Sequence, residues 1–332
     1  MQSSRAPALD TPQMVSYAFI YMPNILKLMF INVTYLQDGN DKVLRFLHHL
    51  LPLLLPSSGP PIQGKVINKI ISDFDYFMPF RQHAPSLINA RNAIYTDLSR
   101  LASNDGVGFF NVLAFRGVFF GSPFARSDRF QWFESFHDWC LFREEGREEA
   151  LKICPAKEEE YYVKKNCYGS SQTQRSLKLL QGYWKQRQSW NTIFNKPRTP
   201  TVEEVYGWLV STENGASKFF NIGSLTALLI CGDLIEAGII PMPSSLELGK
   251  LIYKVGKGAK AAMIMLGLVN QGVEEEDFCK AFSTLDAHIE NVLDIDKKKT
   301  MGYNIVMLEH TLCKMKRLTT HKVSIEDILS EI

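Results

Sequence analysis

The chain has 332 residues, enough for one large domain or two of ordinary size, each with its own core. With 45% hydrophobic and 22% charged residues it has the composition of a globular protein, which excludes intrinsic disorder over most of its length. The formal net charge of +2 indicates no partner by itself. Attraction for a charged ligand would have to come from local segregation of charge.

The cysteine pattern predicts a reducing compartment. None of the cysteines forms a CxxC pair, and a chain of this size does not need disulfides to fold. The polar residues 1–13 are expected to form a flexible tail, and the first ten lack the features of a signal peptide. We therefore expect an intracellular protein, cytoplasmic or nuclear. The six cysteines are Cys140, Cys154, Cys167, Cys231, Cys279 and Cys313.

An apolar segment over residues 14–36 is almost long enough to span a bilayer. Pro23, Lys27 and Asn32 interrupt it, and a charge near the centre of a span costs a few kcal/mol. This segment is therefore expected to be buried core rather than a membrane helix, and a membrane partner is not expected.

Apolar runs of helical length dominate the sequence, which predicts a mainly α protein. We expect two helical lobes, an aromatic-rich one over residues 14–170 and a second over 171–332, divided where Gly169 to Thr173 interrupts the pattern. The glycine-spaced stretch over residues 106–123 predicts a short β-hairpin within the first lobe.

Helix ends are clearest in the second half. Thr201 and Glu204 have the spacing of a capping box, as do Ser244 and Glu247, so helices should begin at about Val202 and just after Ser244. The second of these should run toward Leu266. Further helices are expected over residues 274–293 and 303–317, with a short one after residue 324.

The most distinctive feature of the sequence is a long stretch without acids. Between Glu160 and Glu203 there is no Asp or Glu, yet the stretch holds eight Lys and Arg and seven aromatic residues. Seven glutamates lie just upstream, within residues 143–160, and hide this segregation in the near-neutral total. Such a stretch can create a local field that gathers phosphates or an acidic surface.

Charge and aromatic rings coincide most closely over Leu177–Arg198. Cations neutralise phosphates with salt-dependent affinity, and flat rings stack on unpaired bases. The segment is therefore a candidate nucleic-acid surface; the alternative is an amphipathic helix that buries Leu179, Leu180 and its tryptophans beneath a solvated basic face. The candidate binding residues are Lys178, Tyr183, Trp184, Lys185, Arg187, Trp190, Lys196 and Arg198.

A second candidate contact comes from Lys254, Lys257 and Lys260. Val255–Ala262 resembles the hairpin of helix-hairpin-helix modules, in which backbone amides near the glycines would meet a phosphate. The same residues also fit a continuous helix, with Lys254 and Lys257 on one face and small residues for close packing.

Signatures of catalysis and cofactor binding are missing from the sequence. It contains no GxxxxGK[ST], no GxGxxG after a strand, no GxSxG and no HExxH. His137 with Cys140 and His310 with Cys313 each share a helical face, but such pairs are usually core groups. No catalytic residue, metal or cofactor is therefore predicted, and an enzyme with an unfamiliar site is the third interpretation.

The leading hypothesis is a non-catalytic nucleic-acid-binding protein that prefers RNA or single strands. It is similar only in outline to helical nucleoproteins that hold a strand between two lobes, and no motif supports that analogy. The alternative is an interaction or scaffold protein, in which the acidic residues 143–160 and the basic stretch after them are complementary surfaces for a partner or for self-association.

Overall fold

The computed structural model describes residues 38–55, 64–169, 171–213 and 215–330. The expected tail over 1–13 and the apolar segment over 14–36 lie outside these ranges. Within them the protein is mainly helical, as the sequence predicts. None of the helices in these ranges combines the length and apolar character that a membrane crossing requires.

The first half of the chain consists of short helices, several of which open with a side-chain cap. Asp73, Asp97, Ser122 and Ser135 each accept a hydrogen bond from the backbone N–H three residues later. The helices are α1 (38–50), α2 (Lys65–Ser72), α3 (Phe74–Phe77), α4 (Pro85–Ala90), α5 (Leu98–Leu101), α6 (Val107–Ala114), α7 (Pro123–Arg126), α8 (Phe136–Glu145), α9 (Arg147–Ile153) and α10 (Glu158–Tyr162). Helix α4 continues as a π-helical turn over Arg91–Tyr95, and α6 continues as another over Phe115–Phe119.

Longer helices fill the second half. Both predicted capping boxes are confirmed, at Thr201 with Glu204 and at Ser244 with Glu247. The helices are α11 (Leu179–Gln186), α12 (Asn191–Phe194), α13 (Val202–Leu209), α14 (Ser224–Glu236), α15 (Ser245–Val255), α16 (Ala259–Met265), α17 (Glu275–Val292), α18 (Ile295–Met301), α19 (Ile305–Thr320) and α20 (Ile325–Ser330). Strands β1 (Thr212–Glu213) and β2 (Ala216–Ser217) form an antiparallel pair, and 3-10 turns cover Leu51–Leu54, Arg81–His83 and Arg187–Trp190.

The β-hairpin predicted over residues 106–123 is wrong, because this stretch forms α6 and its π-helical continuation. Its glycines serve close packing rather than a turn between strands. A Cβ on Gly108 would lie 2.0 Å from the carbonyl oxygen of Leu101, and one on Gly117 would lie 2.3 Å from Tyr183 Oη. The pattern of glycine and phenylalanine therefore marks a fully buried helix that other elements approach closely.

The continuous helix considered over residues 244–266 is also wrong. Helix α15 ends at Val255, Gly256 adopts a left-handed conformation with φ of 68°, and α16 begins at Ala259. A left-handed residue at this position is the usual helix C-cap, and glycine adopts it without steric cost. The Gly-Lys-Gly segment is therefore a turn between two helices.

One hydrophobic cluster includes residues from both halves of the chain. Contacts also cross the predicted boundary near Gly169: Lys314 Nζ of α19 donates to the carbonyl oxygens of Asp75 and Tyr76 at 2.8 and 2.9 Å. The division into lobes over 14–170 and 171–332 stays a prediction.

A buried ion cluster joins the two halves around Asp233 of α14, which is 2% exposed. Arg116 donates to both of its carboxylate oxygens at 2.5 Å, and Arg81 donates to Oδ1 at 2.5 Å. Tyr95 adds a hydrogen bond to Oδ2 at 3.1 Å. Burial and the adjacent Asp233 carboxylate raise the pKa of the Tyr95 hydroxyl well above its ordinary value. Asp233 is thus the common acceptor for three segments that are distant in the sequence.

Two side chains, Arg175 and Tyr168, bind the backbone carbonyls of the π-helical turn that continues α6. Arg175 is fully buried and donates to the carbonyl oxygens of Arg116, Val118 and Phe120. Tyr168 Oη donates to the same Arg116 carbonyl at 2.8 Å. Because the last carbonyls of a helix lack partners within it, these donors satisfy groups that would otherwise be buried without a hydrogen bond.

We expect replacement of Asp233 by Ala to lower the free energy of unfolding by about 3–5 kcal/mol, because the Arg116 guanidinium would stay buried without its countercharge and Arg81 would keep only Glu236, at 3.2 Å. Urea unfolding followed by circular dichroism measures this change. The exposed Asp128 is the control, and Asp128→Ala should change the same quantity by less than about 0.5 kcal/mol. Equal effects of the two substitutions would contradict the role assigned to the cluster.

Candidate nucleic-acid interface

Helix α11 carries the centre of the acid-free stretch and packs on α6. Leu180 and Tyr183 are fully buried on its inner side, and Tyr183 Oη donates to the carbonyl oxygen of Phe220 at 2.8 Å. Gln186 at the end of the helix donates to the carbonyl oxygen of Lys218. The helix is therefore amphipathic. Its hydrogen bonds also hold Lys218 and Phe220, which follow the β1–β2 hairpin, against it.

Two of the three candidate stacking rings are unsuitable for that role. Tyr183 is fully buried and Trp190 is 1% exposed, so neither presents a face to a base. Trp190 instead stacks on Phe194 with a centroid distance of 3.6 Å and packs against Phe109. The alternative of an amphipathic segment with a buried tryptophan is thus correct for Trp190. Burying a large ring in the core stabilises the fold, whereas an exposed ring adds little to stability.

The third ring, Trp184, is half-buried and has a cationic neighbour. The Arg187 guanidinium lies 3.8 Å from the indole centroid, and Arg187 Nη1 donates to the Trp184 carbonyl at 2.9 Å. The indole also meets Phe110 edge to face. Arg187 and Trp184 therefore form one cation–π pair at the surface.

The lysines of this stretch are its most accessible charges. Lys178, Lys185 and Lys196 are all exposed, and none of them forms an ion pair within the ranges that the structure describes. Lys178 and Lys185 are seven residues apart, so they lie two turns apart on the same side of α11. Lys196 follows the end of α12.

Other candidate cations are already paired. Arg198 donates to both carboxylate oxygens of Glu204 and, with its hydrogen bonds, lowers the pKa of Glu204 to about 2. Lys254 contacts Glu203 at 2.7 Å. Lys260 Nζ lies 3.4 Å from the ring centroid of Tyr253. Lys254 and Lys260 thus have different neighbours within the chain, and a joint contact of Lys254, Lys257 and Lys260 with nucleic acid stays a prediction.

An exposed ring that the prediction missed lies beside α11. Phe220 is 58% exposed, whereas the preceding Phe219 is fully buried. Its carbonyl oxygen accepts the hydrogen bond from Tyr183, which fixes the backbone at this point. Adjacent side chains of an extended segment face opposite directions. The pair Phe219–Phe220 after Lys218 could therefore have indicated one buried and one exposed ring. We call Lys178, Trp184, Lys185, Arg187 and Phe220 the α11 surface.

A groove begins next to the α11 surface and leads to a larger cavity. The groove has a volume of about 360 Å³ and is lined by residues 217 and 221–226 together with Gln172. Gln172 and Leu225 also line the cavity, so the two spaces adjoin. Asn221, in the groove, donates to the carbonyl oxygen of Gly117.

The cavity has a volume of about 510 Å³ and follows one face of α19. We call it the α19 cavity. Its lining combines aromatic and aliphatic side chains with a concentration of cations that far exceeds its acids. The lining residues are Arg116, Phe120, Tyr168, Gly169, Gln172, Leu225, Leu229, Lys257, Gly258, Glu309, His310, Cys313, Lys314, Lys316, Arg317, Thr320 and His321.

Lys314 is the most unusual of these residues, since it is 3% exposed. Its ammonium group donates to two backbone carbonyls and has no carboxylate partner in the described part of the chain. Burial, followed by the positive charge of Arg317, lowers the pKa of Lys314 well below its ordinary value. A lysine ammonium has three donors, so one donor remains without a protein partner here.

The acid in the cavity does not offset these cations. Glu309 is 4% exposed, and its carboxyl accepts a hydrogen bond from Cys313 Sγ at 2.9 Å. Burial raises the pKa of Glu309, which weakens it as a source of negative charge. Burial and Glu309 raise the pKa of the Cys313 thiol well above its ordinary value, so Cys313 is a poor nucleophile.

The two His–Cys pairs do not form a metal site. His310 Nε2 lies 3.2 Å from the carbonyl oxygen of Met78, so this nitrogen carries the proton and donates. The described residues contain no group of three or more His, Cys, Asp or Glu side chains arranged to hold a metal ion. All six cysteines are unpaired.

None of the described glutamates upstream of the acid-free stretch forms an ion pair with the α11 surface, although Glu159 Oε1 accepts a hydrogen bond from the backbone N–H of Leu177, next to Lys178. Several of them pair with basic residues of their own neighbourhood instead. These contacts join Glu149 with Arg129, Glu158 with Arg143 and Arg147, and Glu159 with Lys157.

Comparison of the chain with protein-family models, with curated proteins and with solved structures finds no match. The candidate function therefore depends on the residues of this chain alone. These residues provide exposed cations and a ring on the α11 surface, and a cationic cavity at the end of the adjoining groove.

We expect Trp190→Ala to lower the free energy of unfolding by about 3–5 kcal/mol, since it removes a fully buried ring from the core. Trp184→Ala should cost clearly less, because Trp184 is half-buried. Urea unfolding of both variants measures the difference. A larger loss for Trp184 than for Trp190 would contradict the assignment of Trp190 to the core.

Proposed function

We propose that the protein binds single-stranded nucleic acid on the α11 surface, without catalysis. The observation that carries this proposal is the pair of exposed lysines, Lys178 and Lys185, on one side of a helix within a stretch that has no acids. Both lysines lack ion-pair partners in the described ranges, so they are available to phosphates. Lys196 supplies a further exposed cation beyond α12.

Phe220 supports the proposal from a second direction. An exposed phenylalanine contributes little to the stability of its own protein, but a base can stack on its ring with a gain of about 1–3 kcal/mol. The stacked Arg187–Trp184 pair adds a cation with a flat guanidinium plane, a group on which unpaired bases also stack. Exposed cations together with an exposed ring match the requirements of a single strand better than those of a duplex, whose bases are covered.

The groove beside the α11 surface gives a strand a path to follow. Its lining includes Ser217, Asn221 and Ser224, small polar side chains that tolerate a sugar–phosphate backbone. Six unpaired cysteines fit a reducing compartment, and we place the protein in the cytoplasm or nucleus as part of the same proposal.

A protein partner for complementary acidic and basic segments receives less support. Glu149, Glu158 and Glu159 of the acidic segment already have basic partners within the chain. A pull-down with and without nuclease treatment separates the two functions, because a protein complex would survive the nuclease whereas a complex held by nucleic acid would not.

The charge reversal Lys178→Glu with Lys185→Glu should weaken binding of a labelled oligouridylate and reduce the slope of log affinity against log salt by about 1.4, from about 0.7 for each lost phosphate contact. Fluorescence anisotropy across a salt series measures both quantities. Arg187 is left unchanged, because it packs on Trp184.

The matched control reverses Lys152 and Lys299, which are exposed on α9 and α18. It changes the net charge by the same amount, so it should alter binding much less if the α11 surface is the contact. Absence of binding at low salt, or equal losses for the two reversals, would overturn the proposal.

Replacement of Phe220 by Ala should weaken binding of the oligouridylate by about 5- to 150-fold, which corresponds to about 1–3 kcal/mol for one stacked base. Phe220→Trp should preserve binding, since it keeps a flat ring. The control is Leu246→Ala, which removes an equally exposed apolar side chain on α15. Unchanged affinity of Phe220→Ala would show that this ring does not stack on a base.

A further inference from the structure

The α19 cavity contains a buried lysine that lacks a countercharge. Lys314 is bound only by backbone carbonyls, while the nearby Asp75 carboxylate is already bound by Ser86 and Arg126. A buried ammonium without a carboxylate is unfavourable, and its cost is relieved when an anion is placed beside it. The described residues provide no such anion.

Further cations surround the same space with unused donors. Arg317 uses one N–H for the carbonyl oxygen of Tyr76 and places its guanidinium 4.5 Å from the Tyr76 ring centroid. Lys316 is half-buried and Lys257 is exposed; neither has an ion-pair partner in the described ranges. A guanidinium has five donors, so Arg317 retains the fork that binds two oxygens of one phosphate.

The turn between α15 and α16 brings Lys257 to this site. Gly258 has a φ of 58°, and a Cβ there would lie 2.4 Å from Cys313 Sγ. Only a residue without a side chain lets the turn approach α19 this closely. Because the turn contacts α19, Lys257 lines the α19 cavity together with Lys316 and Arg317, although about sixty residues separate them in the sequence.

One wall of the cavity is apolar. Phe120 and Tyr168 stack on each other with a centroid distance of 5.4 Å and are both largely buried, and Leu225 and Leu229 continue the wall. A volume of about 510 Å³ is also much larger than a lone inorganic anion needs. The lining therefore suits a ligand with an anionic end and an organic part that packs against apolar side chains.

We propose that the α19 cavity binds the terminal phosphate of a nucleotide, with the phosphate on Lys257, Lys314, Lys316 and Arg317 and the organic part against the Phe120 wall. This chemistry has two sources, a free mononucleotide and the phosphorylated end of a strand. The second source rests on the function proposed for the α11 surface, because the groove that follows Phe220 in the sequence shares Gln172 and Leu225 with the cavity lining. The phosphate site itself does not depend on that function.

Isothermal titration of the full chain with uridine monophosphate and with uridine tests the phosphate requirement. We expect the nucleotide to bind about tenfold or more tightly than the nucleoside, since charge-assisted hydrogen bonds to the phosphate are the strongest contacts available. Equal binding of the two, or binding of neither, would overturn the proposal.

The variant Lys257→Ala with Lys316→Ala locates the site without disturbing the buried Lys314. It should weaken binding of uridine monophosphate by about tenfold or more, through the loss of two charged contacts. The matched control, Lys280→Ala with Lys299→Ala, changes exposed lysines on α17 and α18 and should bind as the unchanged protein does. Equal affinities of the two variants would place the phosphate elsewhere and overturn the proposal.

Oligouridylates with and without a phosphorylated end distinguish the two sources. Tighter binding of the phosphorylated end, lost in Lys257→Ala with Lys316→Ala, supports the strand end as the ligand. Equal binding of both oligomers, together with binding of uridine monophosphate, supports the free mononucleotide. The Lys178 and Lys185 reversal should leave binding of uridine monophosphate unchanged, so failure at the α11 surface and failure at the cavity give different results.

Discussion

The salt bridge between Asp233 and two buried arginines is the interaction on which this architecture depends. Arg116 and Arg81 reach Asp233 from separate segments, so this one carboxylate ties both segments to α14. Arg116 is also a wall of the α19 cavity, and its carbonyl oxygen anchors Tyr168 and Arg175. Arg116 therefore belongs both to the buried ion cluster and to the lining of the candidate ligand site.

Local signals in the sequence predicted the starts of the helices well. They predicted the structure of the glycine-spaced stretch over residues 106–123 poorly. The capping boxes at Thr201 and Ser244 specify helix starts within a few residues, because their hydrogen bonds are local. Gly108 and Gly117 have the same local pattern as turn glycines, yet they serve packing against residues far away in the sequence. Only the tertiary structure distinguishes these uses, which is why a helix stands where a hairpin was expected.

The candidate site was predictable only in part, for a similar reason. Exposed lysines on α11 follow from an amphipathic pattern, but the burial of Tyr183 and Trp190 depends on the contact with α6. The α19 cavity could not be predicted, since Arg116, Lys257 and Lys314 come together from three distant segments. The available hint was Lys314, a lysine among the apolar residues Leu312, Met315 and Leu318 of α19, all of which are buried.

Photocrosslinking tests the proposed contact between a single strand and the α11 surface. An oligonucleotide that contains a photoreactive uridine is bound to the full chain and irradiated, and the crosslinked peptides are mapped by mass spectrometry. We expect crosslinks at Phe220 and within the peptide that carries Trp184 and Lys185. Crosslinks confined to segments away from α11 and the groove, or none at saturating oligonucleotide, would contradict it.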